Sequence, residues 1–379
     1  MEVRKTSILI ALVISAASLL LLDSMFGDAL PLLVTAFMGV VYLSPVVLIA
    51  KSKLTTIESR SIVVVMLALC ALYFFSSVLS GGGYKHSLYV LICIGWYLVG
   101  LLFSKLAIGR LYVAIFSVLF TFFLFFLYVN NSLGAPKNTV GSGILYLTIF
   151  AVVLFYIEGR AIAHIAAYVI LICIFMAFLD MRGGMVQVLL LLSGVLLSVK
   201  LQWMSKMYRL WFGVFIIFLV LLVLFISYSS EFSIFGQVEA LVSEHTGRSL
   251  HSGRQLIWPI ALEDISYKPI FGHGAGYLIN SLPGAETWSA HNVYLQVSMQ
   301  VGLTGLALLL LVLYLVLKNM QVRENPSVSF VFMTVWLIIV IYNCLEVSLI
   351  QNAMPIAVMQ WLIFGLLNGI AIIKSGEGK

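Results

Sequence analysis

Three side chains suited to phosphate binding and proton transfer stand at polar positions of an otherwise apolar chain. Arg182 follows one apolar run, Arg254 begins a predicted helix within a long polar segment, and His291 directly precedes another apolar run. Arginine can donate paired hydrogen bonds to phosphate oxygens, and histidine exchanges a proton near neutral pH. These residue types suit chemistry on a phosphate-bearing substrate, with His291 acting as a general base.

Each of these residues also has a purely structural interpretation. Arg182 can form an ion pair with Asp180, which stands two residues before it. Arg254 can be a solvated surface residue, and His291 can be a structural residue at the headgroup boundary. Trp258 lies one helical turn after Arg254, where it can stack on a sugar ring or pack against the membrane surface. The residues alone leave these alternatives open.

A glycine-rich segment, PIFGHGAG at residues 269–276, lies between Arg254 and His291. Its glycines allow sharp turns and close approach of the backbone to other groups. We therefore predict a turn that closes the polar region over a cavity. A metal site is not predicted, because the histidines of this region are widely spaced and Glu263 and Asp264 point to different faces of a helix.

The composition excludes a water-soluble enzyme. Apolar residues make up 62% of the 379 residues, charged residues only 9%, and the mean hydropathy is +1.12. Soluble domains have about 25% charged residues. The net charge of +6 does not indicate a nucleic-acid partner, because cytoplasmic loops of membrane proteins also accumulate lysine and arginine. The sequence therefore predicts an integral membrane protein.

Apolar runs bounded by charges or by glycine, proline and asparagine clusters mark the membrane spans. We predict an all-α polytopic protein with about 12 transmembrane helices, the count lying within roughly 10–12. The expected spans are 7–22, 29–50, 61–80, 87–104, 111–129, 139–157, 161–179, 183–199, 210–228, 292–317, 329–348 and 355–373.

The distribution of positive charge predicts the orientation of these spans. With a cytoplasmic N-terminus, fifteen of the 21 lysines and arginines fall on the cytoplasmic side. This is the sign that the positive-inside rule requires. Both termini are therefore predicted in the cytoplasm.

One long polar segment divides the chain. Residues 1–228 hold about nine predicted helices and residues 292–379 about three, in one membrane domain. Residues 229–291 form a large loop on the outer side, and loops of this length are usually functional or disordered. Aromatic and aliphatic residues in the loop indicate an ordered segment with a helix at about 254–266, Ser252 being near its N-cap.

Taken in this order, the residues resemble the O-antigen ligase and O-antigen or exopolysaccharide polymerase superfamily of multi-spanning membrane glycosyltransferases. The resemblance is strongest over about 250–310, which corresponds to the large periplasmic loop of the family and the helix after it. Met181-Arg182-Gly183 is also similar to the Ser-Arg-Gly of the family at a span end, with methionine replacing serine. The residues of the loop and helix that carry the resemblance are Ser252, Gly253, Arg254, Trp258, Pro269, Gly272, Gly274, Gly276, His291, Asn292, Leu295, Gly302 and Gly305.

The resemblance implies a GT-C type glycosyltransferase of the bacterial inner membrane, with the large loop in the periplasm. Its donor would be an oligosaccharide on undecaprenyl diphosphate, and neither a cofactor nor a metal ion would be required. Arg182 and Arg254 would bind the diphosphate, and His291 would be catalytic. The residues assigned to sugar binding or to support of the site are Arg248, Trp258 and Asn292.

The predicted function is a polymerase that transfers the glycan to a sugar hydroxyl of a second lipid-linked glycan. The Gly-Arg-x-x-x-Trp and Pro-x-x-Gly-x-Gly patterns are slightly more similar to polymerase loops than to ligase loops. The alternative is an O-antigen ligase with lipid A-core oligosaccharide as acceptor. A lipid-linked oligosaccharide flippase is a third hypothesis, but broken helices and internal symmetry, which it requires, are not evident. Expected partners are the donor, a glycan or lipid A-core acceptor, membrane lipid and a chain-length regulator, and not nucleic acid.

Overall fold

The structure is a computed structural model, and it describes most of the chain after residue 56. The predicted spans 7–22 and 29–50 lie outside the described residues. The described residues are 57–81, 84–104, 110–129, 137–229, 253–279, 288–322, 324–351 and 354–375, with a few positions between 237 and 244.

Helices dominate the described part of the chain, where the only β-type pairing is an isolated bridge between Ile279 and Trp288. A short 3-10 helix, Gln202–Met207, directly precedes the helix that begins at Tyr208. The helices are α1 (Ile57–Ser80), α2 (Lys85–Phe103), α3 (Arg110–Val129), α4 (Lys137–Ile157), α5 (Ile162–Phe178), α6 (Arg182–Leu197), α7 (Tyr208–Tyr228), α8 (Arg254–Tyr267), α9 (Val293–Asn319), α10 (Pro326–Tyr342) and α11 (Met354–Lys374).

The length and apolarity of these helices identify a membrane protein. Among the described residues, six helices (α1, α2, α4, α7, α9 and α11) are long and apolar enough to cross a membrane. Four shorter apolar helices, α3, α5, α6 and α10, accompany them. The all-α membrane fold is therefore confirmed, whereas the total of about 12 spans stays a prediction.

The core of the helical assembly lies around α11. Almost every side chain of α11 is buried, and the helix packs closely against α2. A Cβ atom added at Gly365 would lie 1.9 Å from the Tyr97 carbonyl oxygen, and one at Gly100 would lie 2.3 Å from the Leu362 carbonyl oxygen. Small residues at such contacts allow membrane helices to approach closely. By contrast, α7 exposes leucine, isoleucine and phenylalanine side chains, as a lipid-facing helix does.

Helix α9 is interrupted at Val301 and Gly302, which the sequence did not predict. Gly302 has φ 74° and ψ −175°, and the turn at residues 269–276 docks into the gap. Leu303 N donates to Pro269 O at 2.7 Å, whereas the His273 and Gly274 amides donate to the Met299 and Gln300 carbonyls at 2.8 and 3.0 Å. The turn therefore satisfies the backbone groups that the break in the helix releases.

The predicted role of this turn is confirmed in part. With α1, the turn borders a cavity of about 430 Å³ that includes Gly272, His273 and Gly274 in its lining. Its main structural role is nevertheless the docking into α9. The interruption also corrects the expectation of unbroken helices. It does not favour a transporter, because the turn rather than a substrate path satisfies the freed backbone groups.

Gly302→Ala is expected to destabilise the protein strongly. A Cβ atom at residue 302 would lie 2.0 Å from the Ile270 carbonyl oxygen, at a φ that alanine rarely adopts. Essentially only glycine adopts this combination of φ and ψ, so alanine here costs about 1–3 kcal/mol, and overpacking adds about 1–3 kcal/mol. The thermal unfolding midpoint in detergent should fall by many degrees. Gly213→Ala in α7 is the control, because its Cβ would meet no atom within 4 Å. Equal midpoints for both variants would contradict the tight docking of the turn.

Candidate functional site

Three segments that are distant in the sequence meet at one end of the helical assembly. They are the N-terminus of α8, the N-terminus of α9, and the connection of residues 343–351 between α10 and α11. Arg254 belongs to the first segment, His291 precedes the second, and Glu346 lies in the third. The carboxylate of Glu346 lies between the other two side chains, so a cation, an anion and an imidazole form one cluster.

Arg254 reaches from the first residue of α8 to the 343–351 connection. Its Nη2 donates a hydrogen bond to the Leu345 carbonyl oxygen at 2.6 Å and lies 4.0 Å from Glu346 Oε1. A cation at a helix N-terminus opposes the helix dipole, and the Glu346 carboxylate offsets this repulsion. Burial lowers the pKa of Arg254, and the charge of Glu346 raises it. The guanidinium remains protonated, since arginine does not deprotonate in proteins.

The predicted loop helix is confirmed as α8, which extends from Arg254 to Tyr267. Its N-cap is Gly253, with φ 82°, rather than a serine. Ser252, the residue predicted near the N-cap, lies outside the described residues, as does Arg248. The backbone therefore turns sharply just before Arg254, which directs the guanidinium towards Glu346.

His291 is held in an uncommon backbone conformation. Its φ is 47°, and the side chain is 40% exposed, so substrate can reach the imidazole. Nδ1 lies 3.9 Å from Glu346 Oε2, beyond hydrogen-bond distance but close enough for electrostatic attraction. Left-handed residues other than glycine cost energy and cluster at functional sites. The second ring nitrogen, Nε2, is the one that can accept a proton from a substrate hydroxyl.

Neighbouring residues fix the backbone on both sides of His291. Trp258 Nε1 donates to the Ala290 carbonyl oxygen, and the Ala290 amide donates to Gln296 Oε1, both at 2.8 Å. Asn292 caps α9, with Oδ1 accepting hydrogen bonds from the amides of Tyr294 at 2.9 Å and Leu295 at 3.1 Å. These contacts hold the residue between Ala290 and Asn292 in place.

Burial favours the supporting role over sugar binding for Trp258 and Asn292. Both side chains are 0% exposed, so neither the indole face nor the amide is accessible to a sugar ring. Trp258 is far from solvent because its helix packs against α7 and α9. Supporting the site is the assignment that remains for both residues.

Arg182 lies outside the cluster. It is the first residue of α6, 60% exposed, and its Nε lies 3.7 Å from Asp180 Oδ1. Among the described residues, no hydrogen bond or ion pair links Arg182 to Arg254, His291 or Glu346. The ion pair with Asp180 is the structural interpretation that the sequence offered, and 60% exposure leaves the guanidinium free to meet a ligand as well.

Glu346 is the site residue that sequence reasoning missed. The apolar run at 329–348 predicted a helix through this position, but α10 ends at Tyr342. Asn343 ends the helix because its side chain accepts hydrogen bonds from both Ser348 N and Ser348 Oγ at 3.3 Å. The predicted span was therefore too long at its C-terminal end. A carboxylate in an apolar run was the available signal, since such a residue marks a functional site by default.

The cluster contains no arrangement of metal ligands. Within the described residues, no group of three or more histidine, cysteine, aspartate or glutamate side chains could hold a metal ion. The cluster instead combines a fixed cation, a carboxylate and an accessible imidazole. An imidazole beside a carboxylate can accept a proton, because the carboxylate stabilises the imidazolium that forms.

Comparison with protein families identifies the central part of the chain. Residues 166–310 match the family model described as O-antigen ligase (Wzy_C). No curated protein sequence matches the chain. The matched part contains Arg182, Arg254 and His291, whereas Glu346 lies after it. The match confirms the predicted relationship to the O-antigen ligase and polymerase superfamily over the part of the chain that carries two of the three residues of the cluster.

Proposed function

We propose that the protein is a membrane glycosyltransferase that transfers a glycan from undecaprenyl diphosphate to a sugar hydroxyl at the outer face of the bacterial inner membrane. One observation carries this proposal. Arg254 and His291, which come from different segments, converge on Glu346 within 4.0 and 3.9 Å. A fixed cation beside a base is the arrangement that a diphosphate leaving group and a hydroxyl nucleophile require.

In this mechanism Arg254 binds the diphosphate. Both contacts of its guanidinium with the 343–351 connection use Nη2, and Nε is buried without a hydrogen-bond partner among the described residues. Nη1 is therefore the donor that remains for phosphate oxygens, which accept charge-assisted hydrogen bonds from arginine. As the glycosidic bond breaks, negative charge grows on the leaving diphosphate, and a cation that is already in place stabilises it.

His291 removes the proton of the acceptor hydroxyl as the hydroxyl attacks the anomeric carbon. Glu346 faces Nδ1 and stabilises the imidazolium, so Nε2 can accept the proton. Glu346 also neutralises Arg254 before substrate binds, which avoids an uncompensated charge at the boundary of the membrane. We assign Arg182 to the same diphosphate from the end of α6, where its exposed side chain supplies a second cation.

The proposed chemistry uses no metal ion. Magnesium or zinc would neutralise a diphosphate in many transferases, and here the two arginines take that role. Lipid-linked substrates reach the site from the membrane, and no nucleotide sugar is involved. A chain-length regulator and membrane lipid remain the proposed partners besides donor and acceptor.

Contacts at the two ends of the helical assembly support the proposed orientation. The Arg254 cluster forms where predicted outer connections meet. Arg110 and Glu158, which belong to predicted cytoplasmic connections, form an ion pair at 3.8 Å. Connections assigned to the same side by the positive-inside rule are thus neighbours in space. We therefore propose that both termini lie in the cytoplasm and that the 229–291 loop lies in the periplasm.

Two acceptors are proposed, in order of preference. The patterns around Arg254 and residues 269–276 resemble polymerase loops and favour a second lipid-linked glycan. The description of the matched family as O-antigen ligase favours lipid A-core oligosaccharide instead. Both reactions use the same donor and the same base, so they differ only in the hydroxyl that attacks.

A reconstituted transfer assay distinguishes these acceptors. Purified protein in lipid nanodiscs is incubated with an undecaprenyl diphosphate-linked oligosaccharide, with or without lipid A-core oligosaccharide. A polymerase should lengthen the lipid-linked glycan without any other acceptor, and a ligase should form product only when lipid A-core is present. EDTA should leave the rate unchanged in either case. Absence of product with both acceptors would overturn the proposed function, and inhibition by EDTA would overturn the metal-free mechanism.

A further inference from the structure

We infer that Asn343 and Gln360 are positioning residues, which form a buried amide hub that sets the distance between Glu346 and His291. The inference rests on the proposed function, because it assigns these two residues to the same site. Neither residue touches the cluster itself, and both are 0% exposed. The hub consists of the Asn343 side chain at the end of α10 and the Gln360 side chain in α11.

Asn343 connects the two halves of the site. Its carbonyl oxygen accepts a hydrogen bond at 3.0 Å from the amide of Val293, two residues after His291. Its Oδ1 accepts hydrogen bonds from Ser348 N and Ser348 Oγ, which close the turn that carries Glu346. A shift of Asn343 therefore moves the imidazole and the carboxylate relative to each other.

Gln360 fixes the orientation of Asn343. Asn343 Nδ2 donates to Gln360 Oε1 at 3.1 Å, and Gln360 Nε2 donates to Tyr146 OH at 2.7 Å and to Ser348 Oγ at 3.2 Å. Asn343 Nδ2 also donates to the Ile339 carbonyl oxygen at 2.9 Å. Each amide oxygen and nitrogen of the hub thus has a partner, so neither amide can flip without losing hydrogen bonds.

Packing alone does not require amide side chains at the positions of the hub. Gln360 lies in a helix whose other side chains are mainly apolar, and leucine or methionine would fill the same space. Polar residues in membrane helices are costly unless they have partners, and they often have functional roles. A fully connected polar network fixes one arrangement of its members more sharply than an apolar core does. The one arrangement fixed here is the turn that places Glu346 beside His291.

NMR signals of the His291 ring test the inference without relying on activity. The charged groups that face His291 within the described residues are Glu346 and, behind it, Arg254. The ring signals respond to the distance and charge of a neighbouring carboxylate. If the hub positions Glu346, Gln360→Met should change the His291 ring signals of histidine-labelled protein at a fixed pH, in the same direction as Glu346→Gln. The His291 signal is assigned by its loss in His291→Asn.

Asn368→Leu is the matched control. Asn368 is a second buried amide of α11, and its Nδ2 donates to Tyr97 OH at 3.0 Å, away from the site. Its replacement should leave the His291 ring signals unchanged. Tyr146→Phe removes only the hydroxyl at the far side of the hub and should cause a smaller shift than Gln360→Met. If Gln360→Met does not fold, Tyr146→Phe still shows whether the hub affects His291.

Kinetics provides the second measurement. Gln360→Met should lower kcat by roughly 10–100-fold with little change in donor KM, by analogy with the loss of residues that orient metal-binding histidines. Unchanged His291 ring signals in both Gln360→Met and Tyr146→Phe would overturn the inference, as would equal kcat losses in Gln360→Met and Asn368→Leu. Wild-type protein without transfer activity would overturn the proposed function instead, and the ring signals would still decide whether the hub positions Glu346.

Discussion

His291→Ala should slow glycan transfer by about 10²–10⁴-fold while leaving donor binding nearly intact. The acceptor hydroxyl has a pKa far above 7, so its attack benefits from proton removal in the transition state. His291 is accessible, and Glu346 faces its Nδ1 at 3.9 Å, which stabilises the protonated form. Alanine removes the base but none of the cations that hold the diphosphate. The measurement is single-turnover transfer together with donor binding in nanodiscs.

Two further variants make this prediction specific. His291→Asn should be as inactive as His291→Ala, and it tolerates the left-handed φ of 47° better than alanine does. His164→Ala should be fully active, because His164 is exposed at the start of α5, among the residues predicted on the cytoplasmic side. A loss of donor binding in His291→Asn as large as that in Arg254→Ala would make the histidine a positioning group and not a base.

Local patterns in the sequence were sufficient to locate most of the helices and two residues of the cluster. Apolar runs predicted the ten membrane-associated helices that the described residues contain, and α8 was predicted within one residue of its ends. Arg254 was identified as an arginine on the outer side, against the positive-inside rule, and His291 as a titratable residue where a loop enters an apolar run. These signals depend only on residues that are close together in the chain, so a single sequence is sufficient to identify them.

Contacts between distant segments explain what the sequence did not reveal. The break in α9 requires residues 269–276 to supply partners for Leu303 N and the Gln300 carbonyl, and an apolar run with two glycines does not show that contact. Glu346 was placed inside a helix because the hydrogen bonds of Asn343 with Ser348 and Gln360 depend on the packing of α10 against α11. Burial of Trp258 likewise depends on where α7 and α9 lie. Each of these features follows from tertiary structure.

The cluster also changes how an arginine variant should be designed. Because Arg254 lies 4.0 Å from Glu346, its removal eliminates a phosphate ligand and also leaves a carboxylate without its cation. Either loss alone can reduce activity, so a single replacement does not separate them. The double variant Arg254→Ala/Glu346→Gln removes the uncompensated charge and shows how much of the loss arises from phosphate binding.

Arg254→Ala should reduce transfer by about 10²–10³-fold, which corresponds to about 2.7–4 kcal/mol of transition-state stabilisation, and should weaken donor binding as well. Arg254→Lys should recover only part of the activity, because an ammonium group lacks the planar fork that binds two phosphate oxygens. Arg209→Ala, at the exposed start of α7, is the control and should have no effect.

Donor affinity and the single-turnover rate of these variants are compared at matched membrane levels. If Arg254 binds the diphosphate, Arg254→Ala/Glu346→Gln should remain as weak in donor binding as Arg254→Ala, because neutralising the carboxylate does not replace the lost hydrogen bonds. Recovery of binding in the double variant would mean that Arg254 acts mainly by neutralising Glu346. Full activity of Arg254→Ala would remove the residue from the site, and the diphosphate would then depend on Arg182, whose exposed guanidinium already lies 3.7 Å from Asp180.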